Sequence, residues 1–87
     1  MEICLKRDRF EEVLERSDVA ILFYRWHKGC KLGAHFVALQ KKNGRIVGYN
    51  TFRNSAGPDD WGESLDGFMK KHKFFGGVLI GIRRKPE

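Results

Sequence analysis

The dipeptide Asn43-Gly44 is the feature that most constrains the fold of this chain. It stands between two predicted strands, residues 34–40 and residues 45–52. Asn followed by Gly tolerates the positive φ angles that a two-residue type I′ turn needs at both central positions. The sequence therefore predicts a β-hairpin closed by these two residues.

An apolar run at residues 19–24 is the second strong constraint. It reads Val-Ala-Ile-Leu-Phe-Tyr, which is too short for a buried helix and rich in strand-forming residues. Continuous apolar strands are typical of a sheet interior that is covered on both faces. We expect a central strand here, and a last buried strand over residues 78–82, after the break at Gly76-Gly77.

Two short helices complete the predicted fold. Asp8 and Glu11 have capping-box spacing, which predicts a helix over about residues 8–17, and Ser64 is a suitable N-cap for a second helix. Segments rich in turn residues, 27–33 and 53–63, are expected to be loops. The predicted fold class is α+β, with a small antiparallel sheet of about four strands and two helices in the order α-β-β-β-α-β.

Length and composition limit the classes of protein that this chain can belong to. The 87 residues predict a single domain, 1–87, with a core at about 8–83, and 41% hydrophobic residues argue against disorder. No apolar run is long enough to span a membrane, and the first residues lack the apolar region of a secretory signal. We therefore expect a cytoplasmic protein without a membrane partner, with Cys4 and Cys30 as free thiols.

The positive charge is concentrated in separate stretches. Residues 27–57 hold six Lys or Arg and no acidic residue, within a total net charge of +6. Such a balance favours weak association with nucleic acid, for which Lys41, Lys42 and Arg45 beside the predicted turn are the candidates. Solvated lysines are also ordinary at a turn, so both interpretations stay open.

The predicted hairpin brings His35 and Asn50 to one face of the sheet. With a two-residue loop the two side chains are diagonal neighbours, and with a four-residue loop they face each other directly. An amide oxygen beside a histidine fixes the tautomer and the ring orientation, as a general base requires. The alternative is a half-buried polar pair without chemistry.

Candidate nucleophiles and metal ligands are weaker signals. Cys30 lies five residues before His35 in a glycine-flanked segment, and Cys4 precedes a basic stretch. The candidate metal ligands His27, Cys30 and His35 give at most three ligands and no second cluster, so no metal site is predicted. The sequence contains no cofactor motif, and we expect no cofactor.

A family resemblance rests on Gly33-Ala-His-Phe-Val-Ala-Leu39, on the Asn-Gly turn and on Val47-Gly-Tyr-Asn-Thr-Phe52. These segments resemble the C-terminal half of papain-like cysteine peptidases, especially the compact bacterial type related to bacteriocin-leader peptidases. The resemblance covers about residues 8–83. It implies a papain-like half-domain with His35 as the base and Asn50 as the orienting residue. The family places its nucleophile at the start of a helix well upstream, and no residue of this chain matches that position.

Three functions are therefore open. The first is a papain-like half-domain that is inactive alone and binds peptides or proteins, or completes a site with a partner; Trp26, Tyr49 and Trp61 would line its cleft. The second is a small basic nucleic-acid-binding module, similar in outline to double-stranded-RNA-binding domains. The third is an autonomous thiol enzyme, a cysteine-peptidase-like hydrolase that uses Cys30 or Cys4 with His35. We expect little or no peptidase activity from the isolated chain, because a base without a nucleophile has nothing to activate.

Overall fold

The computed structural model of the chain describes residues 1–49 and 59–83. Six strands in these residues form one antiparallel sheet in the order β1-β6-β2-β3-β4-β5. The elements in chain order are β1 (Glu2–Cys4), a 3₁₀ turn (Arg7–Arg9), α1 (Phe10–Glu15), β2 (Val19–Lys28), β3 (Lys31–Lys42), β4 (Arg45–Tyr49), β5 (Asp59–Gly62), α2 (Leu65–Lys71) and β6 (Phe74–Ile82).

The predicted fold class is wrong in the extent of the sheet. The described residues form six strands in the order β-α-β-β-β-β-α-β, rather than the four-stranded α-β-β-β-α-β arrangement expected of a papain-like half-domain. The two unexpected strands, β1 and β5, contain three and four residues. Segments this short show no measurable hydrophobic period, so only pairing with β6 and β4 reveals them as strands.

The loop predicted at residues 27–33 is also wrong, because β2 and β3 continue to form a second tight hairpin. Their pairing runs without interruption from Ala20 opposite Leu39 to Lys28 opposite Lys31, and Gly29 adopts a φ of 62° in the turn. Most residues of the outer ends of both strands are exposed. This part of the hairpin extends beyond the core, so it carries no apolar alternation that sequence reasoning could recognise.

The hairpin predicted at Asn43-Gly44 is confirmed. Both residues have positive φ, 53° and 78°, and Lys42 pairs with Arg45 across them. The loop therefore contains two residues, which fixes the register of β3 against β4.

The core lies on one face of the sheet, which we call the helix-covered face. Alternate residues of β2 and β3 point to this face, among them Leu22, Tyr24 and Val37, and all three are fully or almost fully buried. Both helices supply the other layer, with buried side chains Phe10, Val13 and Leu14 from α1 and Leu65 and Met69 from α2. The predicted second cover for β2 is not provided by another element of the described residues.

α1 is shorter than the predicted helix over residues 8–17, and its Glu11 joins it to α2. The predicted capping box does not form, because the Glu11 carboxylate accepts hydrogen bonds from the Ser64 hydroxyl (2.9 Å) and the Asp66 backbone amide (3.3 Å). Ser64 is confirmed as the N-cap of α2, where its Oγ accepts from the Gly67 amide at 3.1 Å. A single carboxylate thus ties α1 to the start of α2.

Two glycines allow the tryptophans to lie flat on the sheet. The indole of Trp26 covers Gly33, and the indole of Trp61 covers Gly48. A Cβ at Gly48 would lie 2.5 Å from Trp61 Nε1 and 2.9 Å from Cε2, both too close for non-bonded atoms. Trp61 then stacks on Phe68 of α2, with ring centroids 4.2 Å apart. The missing side chain of Gly48 therefore decides how closely the α2 layer approaches β4.

This packing predicts that substitution by alanine changes the free energy of unfolding in opposite directions at Gly48 and Gly67. Gly48→Ala should lower the free energy of unfolding by about 1–3 kcal/mol, because the new methyl group overpacks Trp61. Gly67→Ala lies on an exposed helical position with its nearest neighbours at 3.5 Å or more. It should raise stability by up to about 1 kcal/mol through helix propensity. Urea unfolding of the two variants measures both, and equal midpoints would contradict this description of the Trp61 contact.

Candidate binding surfaces

His35 lies on the helix-covered face in a half-buried position. It is the cross-strand neighbour of Tyr24, and their rings meet edge-on with centroids 6.0 Å apart. The expected partner Asn50 follows Tyr49 in the chain and lies outside the described residues. The His35–Asn50 pair therefore stays a prediction.

Neither thiol lies near His35. Cys30 is exposed in the turn between β2 and β3, five residues along the strand, which corresponds to about 15 Å. Cys4 is buried in β1 and donates to the Lys6 carbonyl oxygen at 3.3 Å. Three strand spacings and two residues of rise also place it roughly 15 Å from His35. The described geometry offers no thiol that His35 could deprotonate.

Tyr24 is a buried polar residue that sequence reasoning did not single out. Its ring stacks on Phe74 with centroids 4.2 Å apart, and the side chain has no exposed surface. Burial raises the pKa of its phenol to about 12, and the hydroxyl has no hydrogen-bond partner among the described residues. At neutral pH the group is uncharged, so it contributes an apolar ring to the core rather than acid-base chemistry.

The three aromatic residues expected to line one cleft lie in different places. Trp61 is 3% exposed and belongs to the core. Trp26 is half-buried at the end of the helix-covered face, while Tyr49 lies on the opposite face, where its hydroxyl donates to Gln40 Oε1 at 3.1 Å. These positions separate Tyr49 from the other two residues.

Two of the three cations proposed for nucleic acid are engaged in ion pairs. Lys41 Nζ lies 3.2 Å from Glu15 Oε1, and Arg45 lies 2.8 Å from Asp60 and 3.6 Å from Glu63. The hydrogen bonds from Arg45, followed by the one from the Gly62 amide, lower the pKa of Asp60. Lys42 is exposed. The net positive potential of this hairpin is therefore smaller than its sequence suggests.

The face opposite the helices is an apolar surface, which we call the open face. Its central row crosses five strands and consists of Ile3, Ile80, Ile21, Ala38 and Tyr49. Phe23 and Phe36 form a tilted ring pair beside this row, with centroids 4.8 Å apart. Ile3 is 60% exposed and Phe36 is 59% exposed. No helix of the described residues packs here.

A second surface lies where β2 and α2 end and β6 begins, and we call it the basic cleft. It is a cavity of about 380 Å³ lined by Trp26, His27, Lys28, Lys71, His72, Lys73 and Phe74. Aromatic rings thus line a cavity that also carries several cationic side chains. Lys28 comes from a segment predicted to be a loop, and its position beside the end of α2 follows only from the continuation of β2 to this residue.

The described residues contain neither a cluster of metal ligands nor a membrane-spanning helix. No three His, Cys, Asp or Glu side chains there are close enough together to hold a metal ion. No helix of residues 1–49 and 59–83 has the length and apolar character needed to cross a membrane. Comparison with protein families, with curated proteins and with solved structures finds no match. Functional inference for this chain therefore depends on its own surfaces.

The buried hydroxyl of Tyr24 predicts an unusual response to Tyr24→Phe. At neutral pH the variant should be equal to the wild type or up to about 1–2 kcal/mol more stable, because it removes a buried polar group without a partner. Since Tyr24 ionises near pH 10 in the unfolded chain and only near pH 12 in the folded one, the wild type should lose additional stability between these values. Urea unfolding at pH 7 and pH 11 measures the difference. A variant that is clearly less stable at pH 7, with no change in the difference at pH 11, would contradict the prediction.

The separation of the thiols from His35 predicts their labelling behaviour. Cys30 should react quickly with a thiol reagent and Cys4 slowly, because the first is exposed and the second is buried. His35→Ala should leave the rate at Cys30 unchanged within about twofold, because roughly 15 Å separates the two side chains. A rate that falls tenfold in this variant would restore the thiol-enzyme hypothesis.

Proposed function

We propose that this chain is a protein-binding module whose open face packs against a partner, and that the partner is a second copy of the chain. The observation that carries the proposal is the uncovered apolar side of a six-stranded sheet. Protein domains bury the apolar faces of their sheets against another layer. Here the helices cover one face, and the other layer has to come from outside the described residues.

The composition of the open face supports association. Ten side chains form a continuous patch without a formal charge; they are Ile3, Val19, Ile21, Phe23, Phe36, Ala38, Tyr49, Val78, Ile80 and Ile82. Exposed apolar patches of a few hundred Å² or more are uncommon on monomers and mark sites of interaction. Because burial of apolar area contributes about 25 cal/mol per Å², covering this patch is favourable.

The edges of the sheet make face-to-face association more favourable than strand addition. The edge strands β1 and β5 contain only three and four residues, and β5 carries Asp60 in an ion pair with Arg45. Short and charged edge strands oppose edge-to-edge pairing. The partner is therefore expected to lie over the face, with the two sheets about 10 Å apart.

A second copy suits this face because of its charge and size. A twofold axis through the patch brings uncharged side chains of both copies together, so the net charge of +6 on each chain stays outside the contact. Five strands in one direction and about five residues in the other give roughly 400 Å² of projected area per copy. Because side chains make the surface uneven, the accessible area buried per copy exceeds the projected area. It reaches about 600 Å² per partner, the lower end for specific interfaces, which corresponds to a weak dimer.

This proposal keeps the protein-binding role expected from the sequence and does not include a catalytic role. A peptidase-like reaction would need a nucleophile beside His35, and both cysteines lie about 15 Å away. A peptide or an unrelated protein with an apolar face could occupy the same surface. The measurement below separates these occupants from a second copy, because only self-association changes the mass of the pure protein.

Sedimentation equilibrium of the pure chain over micromolar to millimolar concentrations tests the proposal. We expect the mass to rise from 10.1 kDa towards twice that value. Phe36→Glu should weaken the dimer at least tenfold, because it places two charges in a desolvated contact. Phe36 is 59% exposed in the single chain, so the fold itself should tolerate the change.

Leu5→Glu is the matched control. Leu5 is 72% exposed and lies outside the sheet, between β1 and the 3₁₀ turn, so the same charge should not affect association. A wild type that stays monomeric over the whole range would overturn the second copy as the occupant. A dimer that survives Phe36→Glu unchanged would place the interface elsewhere on the molecule.

A further inference from the structure

The basic cleft contains three lysines that no carboxylate of the described residues neutralises. Lys28, Lys71 and Lys73 form no ion pair with the described acidic side chains, whereas Lys41, Arg45 and Lys70 each have at least one. Like charges that surround one cavity repel each other. An anion bound between them would remove this repulsion and gain charge-assisted hydrogen bonds.

The position of these lysines is only partly explained by the fold. Lys71 ends α2, where a cation stabilises the negative end of the helix dipole. Lys28, however, lies at the end of the strand β2, where there is no helix dipole for its charge to stabilise. Positive charge therefore converges on the cavity from two elements, which a helix-capping role alone does not require.

Lys73 occupies a backbone conformation that favours a different residue. It follows the C-cap of α2 with a φ of 60°, in the left-handed region where helices commonly end in Gly. A lysine there strains the backbone, while glycine would not. Residues that conflict with the local backbone preference are expected at functional sites. The side chain of Lys73, which lines a cavity, is therefore expected to have a function.

The half-buried Trp26 supplies a flat apolar surface in the cleft, and Phe74, which is 6% exposed, lies beside it. One part of the Trp26 indole rests on Gly33 and the ring also lines the cavity, while Phe74 is held by its stack on Tyr24. Both rings are fixed by the sheet before any ligand arrives. Rigid aromatic surfaces beside cationic side chains are the combination that binds a base and its phosphate.

We propose that the basic cleft binds a nucleoside phosphate, with the base against Trp26 and the phosphate between Lys28, Lys71 and Lys73. The cavity of about 380 Å³ lies within the size range of small-molecule sites. This site is separate from the open face, and from Lys41, Lys42 and Arg45 in the Asn43-Gly44 hairpin. It is independent of the proposed dimer.

A neighbouring cavity indicates two sources for the same ligand chemistry. It measures about 490 Å³ and shares His27, Lys73 and Phe74 with the basic cleft, and it adds Arg7, Lys70 and Phe75. A single-stranded nucleic acid could continue across this shared wall, whereas a free nucleotide needs only the first cavity. The affinities of a mononucleotide and of a short oligonucleotide distinguish the two sources.

NMR titration of the two indole N–H signals with ATP tests the site. We expect the Trp26 signal to shift and the signal of Trp61, which is 3% exposed, to stay in place. Adenosine and inorganic phosphate should each bind more weakly than ATP. A short thymidine oligonucleotide that binds at least tenfold more tightly than ATP would identify single strands as the source, and equal or weaker binding would identify free nucleotides.

Two variants separate binding from folding. Lys28→Gln should weaken ATP binding about tenfold through loss of one charged contact. Lys73→Gly should weaken it to a similar degree and yet raise the urea midpoint, because glycine relieves the left-handed backbone. Reduced affinity together with increased stability cannot result from misfolding.

Lys42→Gln is the control, because it removes one positive charge at the far hairpin, where Lys42 is exposed. Its affinity for ATP should stay within about twofold of the wild type. An equal loss of ATP affinity in Lys42→Gln and Lys28→Gln would overturn the site, because the affinity would then depend only on the net charge of the protein. Absence of a Trp26 shift with both ATP and the oligonucleotide at about 1 mM would also overturn it.

Discussion

Pairing of β2 with β6 on one side and β3 on the other is the interaction on which the rest of the structure depends. It extends from residue 19 to residue 28 and places β2 at the centre of the sheet. Because successive side chains of a strand point to opposite faces, this strand sends Leu22 and Tyr24 into the core and Ile21 and Phe23 to the open face. Both helices, the short edge strands and both binding surfaces are positioned relative to it.

The two surfaces differ in chemistry because they use different parts of the same hairpin. The inner half of β2 and β3 is apolar on both faces, and its uncovered side is suited to association through buried area. The outer half passes beyond the helices, so Trp26 and Lys28 are available to a ligand at the end of α2. A catalytic role would require a third arrangement, a thiol beside His35, and the strand geometry places both cysteines too far away.

Predictions from the sequence are correct where neighbouring residues permit only one backbone conformation. They are wrong where contacts between distant segments of the chain determine the structure. The Asn43-Gly44 turn and the Ser64 N-cap are local, and the structure confirms both. The Gly29-Cys30 turn also closes a tight hairpin, with a positive φ at Gly29 only, but its flanking strand ends are exposed and show no apolar period. Glu11 shows the same limit, since its carboxylate bonds across to Ser64 rather than within its own helix. Such partners are distant in the chain and cannot be identified from spacing.

The amino-acid sequence by itself determined a small antiparallel protein with a central apolar strand, a tight hairpin and a capped second helix. These features follow from backbone preferences and hydrophobic period, which act over a few residues. Only the tertiary structure decided that the described residues leave one face of that strand uncovered and that Lys28 joins Lys71 and Lys73 around one cavity. The sequence predicts that β2 needs cover on both faces, but the number and placement of the helices decide how much of it this chain provides.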